Sequence, residues 1–178
     1  KMGLPLVVKP IDRGSSVGIS IISDWQKLPP AIETAKKYSQ KIMFQEYIKG
    51  REFTCGVIEK LTTKIIPLVP TEIIPTTSSF FDYKAKYTTG ASQEITPPNL
   101  PYSKIKEIQK IAVKVHELIG RSGYSRTDMI MNEKGDFYVL EINTLPGMTE
   151  TSLVPQGAKA AKITFPELLD IIIESALN

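Results

Sequence analysis

The stretch RTDMIMNEKGDFYVLEIN, Arg126 to Asn143, constrains the fold more than any other. Two strand-like runs flank the polar, glycine-containing segment Glu133-Lys134-Gly135-Asp136, so the stretch reads as an antiparallel hairpin. With residues 133–136 as the turn, Asn132 faces Phe137, Asp128 faces Glu141 and Arg126 faces Asn143. Opposed residues share a face, and so do residues two apart on one strand. Arg126, Asp128, Glu141 and Asn143 are therefore expected on one side, with Met129, Met131, Leu140 and Ile142 turned toward a core. Two carboxylates and an amide oxygen suit a hard cation such as magnesium, which shares its oxygen ligands with phosphate and water. Zinc would favour His or Cys, and the only histidine, His116, lies elsewhere. Arg126 beside such a cation can stabilise a transferring phosphoryl group. An ordinary half-exposed hairpin shows the same alternation, and on register alone that plainer reading is the better one.

The rest of the chain supplies context. Leu4 to Lys9 reads as a strand, and Val17 to Ile22 as another. Between them KPIDRGSSVGIS, Lys9 to Ser20, has glycines, serines and basic residues but is not a Walker loop. No Lys-Ser/Thr pair opening a helix follows its last glycine. Gly14 and Gly18 permit the backbone angles that bring N–H groups close to phosphate. A helix is expected around Pro30 to Ser39, a strand over Lys41 to Ile48 ended by Gly50, and strands over Glu52 to Glu59 and Thr63 to Ile74. Pro67 and Pro70 limit the pairing of the last. Thr76 to Pro98 is long, polar and aromatic, without sustained period, as functional lids often are. Ser103 can cap a helix running to Ile119, ended by Gly120 or Gly123. Thr164, Pro166 and Glu167 open a final helix with a capping box. Strands and helices mix without a strict βαβ rhythm, so the fold class is α+β, with mostly antiparallel sheets flanked by helices.

Bulk properties remove some functions. A net charge of +3 over 178 residues does not argue for nucleic acid. No apolar run approaches the roughly 18–20 residues of a membrane span. The single cysteine, Cys55, forms no internal disulfide, which fits a reducing compartment. Because LPLVV already reads as a buried strand, the chain is expected to be the later part of a longer protein.

Five ordered segments carry a family resemblance: KPIDRGSSVGIS, QEYIKGREFTCGV, FFDYKAKY, SRTDMIMN and LEINTLPGMTETSLVP. Together they make nearly the whole chain resemble the D-alanine–D-alanine ligases of the ATP-grasp superfamily. The resemblance implies an ATP-grasp fold with the nucleotide held between two lobes. Residues 1–47 would be the remainder of the central lobe, and 48–178 the C-terminal lobe with the metal and substrate site. The family's N-terminal lobe would be absent. It implies ATP as cosubstrate, two Mg2+ or Mn2+ ions, two molecules of D-alanine, a cytoplasmic location and a homodimer for the full-length enzyme, with neither nucleic acid nor membrane as partner.

Position by position, the resemblance implies roles. Lys9 is similar to the lysine on nucleotide phosphate. Gln45, Glu46, Tyr47 and Ile48 match the stretch lining the adenine pocket, and Glu52 the acid on the ribose. Ser15 matches the serine that orients a catalytic glutamate of the N-terminal lobe. Lys86 and Tyr87 match the pair on the mobile loop, and that pair, altered in the D-alanine–D-lactate ligases, favours an amine as second substrate. Arg126 resembles the arginine that stabilises the tetrahedral intermediate and the acyl phosphate. Asp128, Glu141 and Asn143 resemble the magnesium ligands, the set already reached from hairpin register. Gly147 is similar to the oxyanion-site glycine, and Ser152 and Leu153 match residues that receive the second D-alanine. Gln45 departs from the acidic residue of many relatives, yet its amide oxygen can still accept from the adenine amino group. Without the N-terminal lobe, weak ligase activity or none is expected. His116 reads as a boundary residue on a helix flank, Cys55 as a small buried hydrophobe, and Arg13 as either a phosphate contact or a turn residue.

Overall fold

The computed structural model describes residues 2–14, 16–60, 64–75, 92–120 and 123–177. The chain forms two compact units, Lys1–Lys49 with Ile74–Gln93 and Gly50–Ile73 with Glu94–Asn178.

The first unit holds strands β1 (Leu6–Pro10), β2 (Ser20–Ile22) and β3 (Ile42–Glu46), with helix α1 (Leu28–Lys36) between β2 and β3. The strands form an antiparallel sheet ordered β2-β1-β3. Alternation along β1 buries Leu6 and Val8, which pack with Ile22 and with Ala31 and Ala35 of α1. Small residues on the helix let it lie close to the sheet. Prolines at the first positions of α1 suit a turn whose N–H groups have no intrahelical acceptor. The helix begins and ends earlier than Pro30 to Ser39: it follows directly on a 3-10 turn (Trp25–Lys27) that Asp24 caps through Gln26 N at 3.0 Å, and Tyr38 N donates to Ala35 O at 3.1 Å in a closing turn. Strand β2 also starts later than Val17, since Val17 N donates to Gly14 O (3.3 Å) in a turn. Gly18 sits at φ +74°, where an added Cβ would lie 2.7 Å from Tyr38 Cδ2. Among the described residues of this loop the other left-handed one is Ser16, at φ 59°, and not Gly14.

The second unit is built on β4 (Gly50–Lys60), β5 (Lys64–Pro67), β6 (Thr71–Pro75) up to Ile73, β7 (Ser92–Ile95) from Glu94, β8 (Tyr124–Asn132) and β9 (Phe137–Asn143). Its sheet is ordered β7-β6-β4-β8-β9, with β5 also paired to β4. The expected single run Thr63 to Ile74 is two strands, which pair in turn with the same edge of β4. Leu68 is fully buried between them, and its N–H donates to Gly56 O at 2.8 Å. Gly50 does not end a strand but begins β4, opposite Asn132. A Cβ there would collide with the Met131 carbonyl oxygen.

Three helices complete this unit: α2 (Tyr102–Leu118), α3 (Leu153–Ala160) and α4 (Phe165–Ala176). Helix α2 covers one face of the sheet, its Ile108 and Ala112 packing on Phe53, Cys55, Val57 and Met129. Fully burying a side chain such as Phe53 or Met129 stabilises the fold by about 1.5–3 kcal/mol. The cap of α2 is Pro101 rather than Ser103, and Lys104 N donates to Pro101 O at 2.9 Å. Helices α3 and α4 cover the opposite face at one end only, where Ile58 and Leu68 pack with Val154, Ala158, Leu168 and Ile171. The expected capping box is present: Thr164 N donates to Glu167 Oε2 (2.7 Å) and Glu167 N to Thr164 Oγ1 (3.4 Å). Most of the lid expected over Thr76 to Pro98, including FFDYKAKY, lies outside the described residues; residues 92–95 form β7.

Candidate functional site

The β8–β9 hairpin carries the densest group of candidate residues. Asp128 pairs with Glu141, and Arg126 with Asn143. Nearer the turn the register differs by one from expectation: Met131, not Asn132, faces Phe137. Asn132 belongs to the turn, its Oδ1 accepting from Lys134 N and Asp136 N, each at 2.9 Å. A β-bulge between Asp128 and Met129 absorbs the difference and restores the expected pairing at the site. The neighbouring strand β4 sets Thr54 directly opposite Asp128.

Arg126 grips Asp128 with both ends of its fork: Nε donates to Oδ1 at 2.9 Å and Nη2 to Oδ2 at 2.7 Å. Thr54 Oγ1 donates to Oδ1 at 2.6 Å. Burial pulls the Arg126 pKa down, but the Asp128 hydrogen bond and the charges of Asp128, Glu141 and Glu52 outweigh it and leave the guanidinium above its ordinary value. Glu141 is exposed, and Asn143 Oδ1 accepts from Leu145 N at 3.0 Å.

This donor set can hold a hard cation. An ionised carboxylate offers about four lone-pair sites, and an amide oxygen two. Two donors fill Asp128 Oδ1, but Oδ2 keeps a free site beside its single Arg126 bond. Asn143 Oδ1 keeps one beside Leu145 N. Among the described residues no group of three His, Cys, Asp or Glu side chains is placed to hold a metal, so the protein oxygens on offer here are two carboxylates and the Asn143 amide.

The other expected residues fall into three sets. In the second unit, Glu52 is on β4 two residues before Thr54 and on the same face. Ser152 caps α3 and Leu153 begins it. Ser152 Oγ accepts from Thr149 N at 3.1 Å and lies 3.1 Å from where a Gly147 Cβ would be, so Gly147 leaves room for this turn. In the first unit, Lys9 of β1 opposes Met43, and Val7 opposes Gln45. Lys9 and Gln45 thus share the sheet face that α1 does not cover, Glu46 alternates to the other face, and Tyr47 and Ile48 follow the strand end. Ser15, Lys86 and Tyr87 lie outside the described residues.

Three residues outside these sets are placed in more detail than the sequence allowed. Thr54 was missed, because within FTCGV nothing distinguishes a threonine whose hydroxyl reaches Asp128 from a merely strand-forming one. His116 is fully buried and not at a boundary, with Nδ1 2.7 Å from Ser125 Oγ. Arg13 Nε donates to Tyr38 O at 2.7 Å, tying its turn to the end of α1. Cys55 is buried as expected. No helix among the described residues is long and apolar enough to cross a membrane.

Comparison with known proteins places this architecture. The family model described as "D-ala D-ala ligase C-terminus" matches residues 1–174. A D-alanine–D-alanine ligase of Syntrophobacter fumaroxidans is 47% identical over 100% of this chain and 57% of its own length. One from Desulfotalea psychrophila is 46% identical over 99% of this chain and 55% of its own. The chain therefore spans little more than half the length of these relatives. Among solved structures, a Bacillus anthracis D-alanine–D-alanine ligase complexed with ATP superposes with a TM-score of 0.80 at 32% identity, over 98% of this chain and 53% of that one. The VanG D-Ala:D-Ser ligase of Enterococcus faecalis gives 0.82 at 34%, over 95% and 48%. The α+β fold is that of these ATP-grasp enzymes, and the chain belongs to the D-alanine–D-alanine ligase family, matching its C-terminal part.

Proposed function

We propose that this chain is the nucleotide- and metal-binding portion of an ATP-dependent ligase that joins two D-alanines for peptidoglycan precursor synthesis. The observation that carries the reading is Asp128, Glu141, Asn143 and Arg126 on one sheet face in a chain of this family. Asp128, Glu141 and Asn143 would hold Mg2+ or Mn2+, which when bound neutralises phosphate charge. Lys9 meets nucleotide phosphate, Gln45 to Ile48 receive the adenine, and Glu52 holds the ribose. The enzyme acts in the cytoplasm, as a homodimer once the whole protein is assembled.

The chemistry has two steps. A carboxylate oxygen of the first D-alanine attacks the γ-phosphorus of ATP, the bond to ADP breaks, and an acyl phosphate forms. The amine of the second D-alanine, losing a proton, then attacks the acyl carbon, and phosphate leaves. Arg126 supplies fixed positive charge where both steps concentrate negative charge. The Gly147 backbone faces the developing oxyanion. Ser152 and Leu153 seat the second D-alanine, Ser15 orients the catalytic glutamate of the N-terminal lobe, and Lys86 and Tyr87 close over the site. Excluding water protects an acyl phosphate from hydrolysis.

The test is ATP-dependent phosphate release with D-alanine. The 178-residue chain alone should bind Mg·ATP with little turnover. Joined to the N-terminal part of the Syntrophobacter ligase, it should release phosphate only when D-alanine is present. Magnesium-dependent ATP binding with no such release from the joined protein would instead make it a non-catalytic nucleotide-binding module. The likeness to a D-Ala:D-Ser ligase favours adding D-serine and D-lactate as competing second substrates. Faster turnover with either would move the assignment within the family.

A further inference from the structure

We propose that Thr54 is a positioning residue whose hydroxyl holds Asp128 so that its carboxylate presents one oxygen to a divalent cation. The inference rests on reading Asp128 as a metal ligand. Thr54 lies on β4 directly opposite Asp128 and is 2% exposed. An ionised carboxylate only accepts, so the 2.6 Å contact makes the threonine the donor. With Arg126 Nε on the same atom at 2.9 Å, Oδ1 is occupied and the free lone pair is on Oδ2.

The two groups that hold Asp128 differ in stiffness. Arg126 reaches from two residues along β8 through a long, rotatable side chain, whereas Thr54 is β-branched and restricted at χ1. An arginine that also serves an anionic substrate divides its donors between two partners. The Thr54 hydroxyl has Asp128 as its acceptor and keeps the carboxylate oriented while the guanidinium moves. A buried valine would fit a β-strand equally well, so packing alone does not account for the hydroxyl. Partners that orient a metal ligand in this way typically change metal affinity by about 10–100-fold when removed.

The experiment titrates Mn2+ into the chain with a non-hydrolysable ATP analogue and reads bound manganese by electron paramagnetic resonance, independently of turnover. Thr54→Val should weaken manganese binding by about tenfold or more, and Thr54→Ser should restore it to within about twofold. Thr54→Ala, which loses the same hydroxyl without adding bulk, should match the valine variant and serves if valine disturbs folding. Wild-type affinity in both Thr54→Val and Thr54→Ala would overturn the proposal. Asp128→Asn separates this from the underlying reading. If Asp128→Asn binds manganese as wild type does, the assignment of Asp128 as a ligand fails. If it loses binding while the Thr54 variants do not, only the role of Thr54 fails.

Discussion

The two faces of the β4–β8–β9 sheet share the same strands and have opposite character. On one, Phe53, Cys55, Val57 and Met129 are fully buried against α2. On the other, the alternate residues Thr54, Arg126 and Asp128 form a hydrogen-bonded cluster, with Glu141 and Asn143 beside it. Helices α3 and α4 cover that face only at the Ile58 end. Consecutive residues thus alternate between a packed apolar core and a polar cluster, and the packed side fixes the positions of the polar one. Cys55 shows how closely the two sides adjoin. It follows Thr54 in sequence, yet burial pushes its thiol up to about 12, so it stays an inert packing group.

Substitutions can break this division. Phe53→Ala should cost the most stability, about 3–5 kcal/mol by denaturant titration, because its ring is fully buried and meets Phe137 edge-on at 6.2 Å. A loss below about 1 kcal/mol would mean that the α2 face is not the main core. Arg126→Ala should come next, at about 3 kcal/mol, since it strands a carboxylate that is only 8% exposed. It should also abolish ligation in the joined enzyme, so this one residue crosses the division. Thr164→Ala, at the start of α4, which helps cover the Ile58 end of the polar face, should cost about 1 kcal/mol. The Thr164 backbone hydrogen bond holds Glu167 below the usual carboxylate range. The stability linked to the Glu167 carboxylate is therefore present above the unfolded pKa and is lost as pH falls through the depressed folded one. The substitution keeps that backbone N–H and removes only the smaller hydroxyl contact, Thr164 Oγ1 to Glu167 Oε2 at 2.7 Å, so thermal melting should still show most of the loss over that acidic range. Smallest in stability is Glu141→Gln, within about 0.5 kcal/mol because the side chain is exposed. It should nonetheless weaken the magnesium dependence of nucleotide binding, which sharpens the contrast with Phe53.

What could be read from residues follows the range of the forces involved. The Thr164–Glu167 box is local and was legible, as was the apolar alternation that buries Met129. Arg126, Asp128, Glu141 and Asn143 fell on one face as expected, although the turn register was off by one residue. The bulge was not legible, because Val139 and Leu140 are both apolar and either fits a half-buried position. Ser103 looked like a cap, but Pro101 already supplies the carbonyl for the first turn. Gly50 looked like a breaker because its close approach to Met131 is a tertiary fact. His116 looked like a boundary residue on its helix flank, and only the fold brings Ser125 to its ring.

The bulge in β8–β9 separates two lengths that would otherwise be locked together. The site is registered by β4, which pairs with β8 from Gly50↔Asn132 to Ile58↔Tyr124. The tip is registered by its own turn and by Lys104 Nζ, which donates to Gly135 O at 2.7 Å. A residue gained or lost at the tip should therefore be taken up in the three outer pairs, Met129↔Val139 to Met131↔Phe137, and leave Asp128 opposite Glu141. For an engineer, 133–136 is the place to graft a label or an affinity handle.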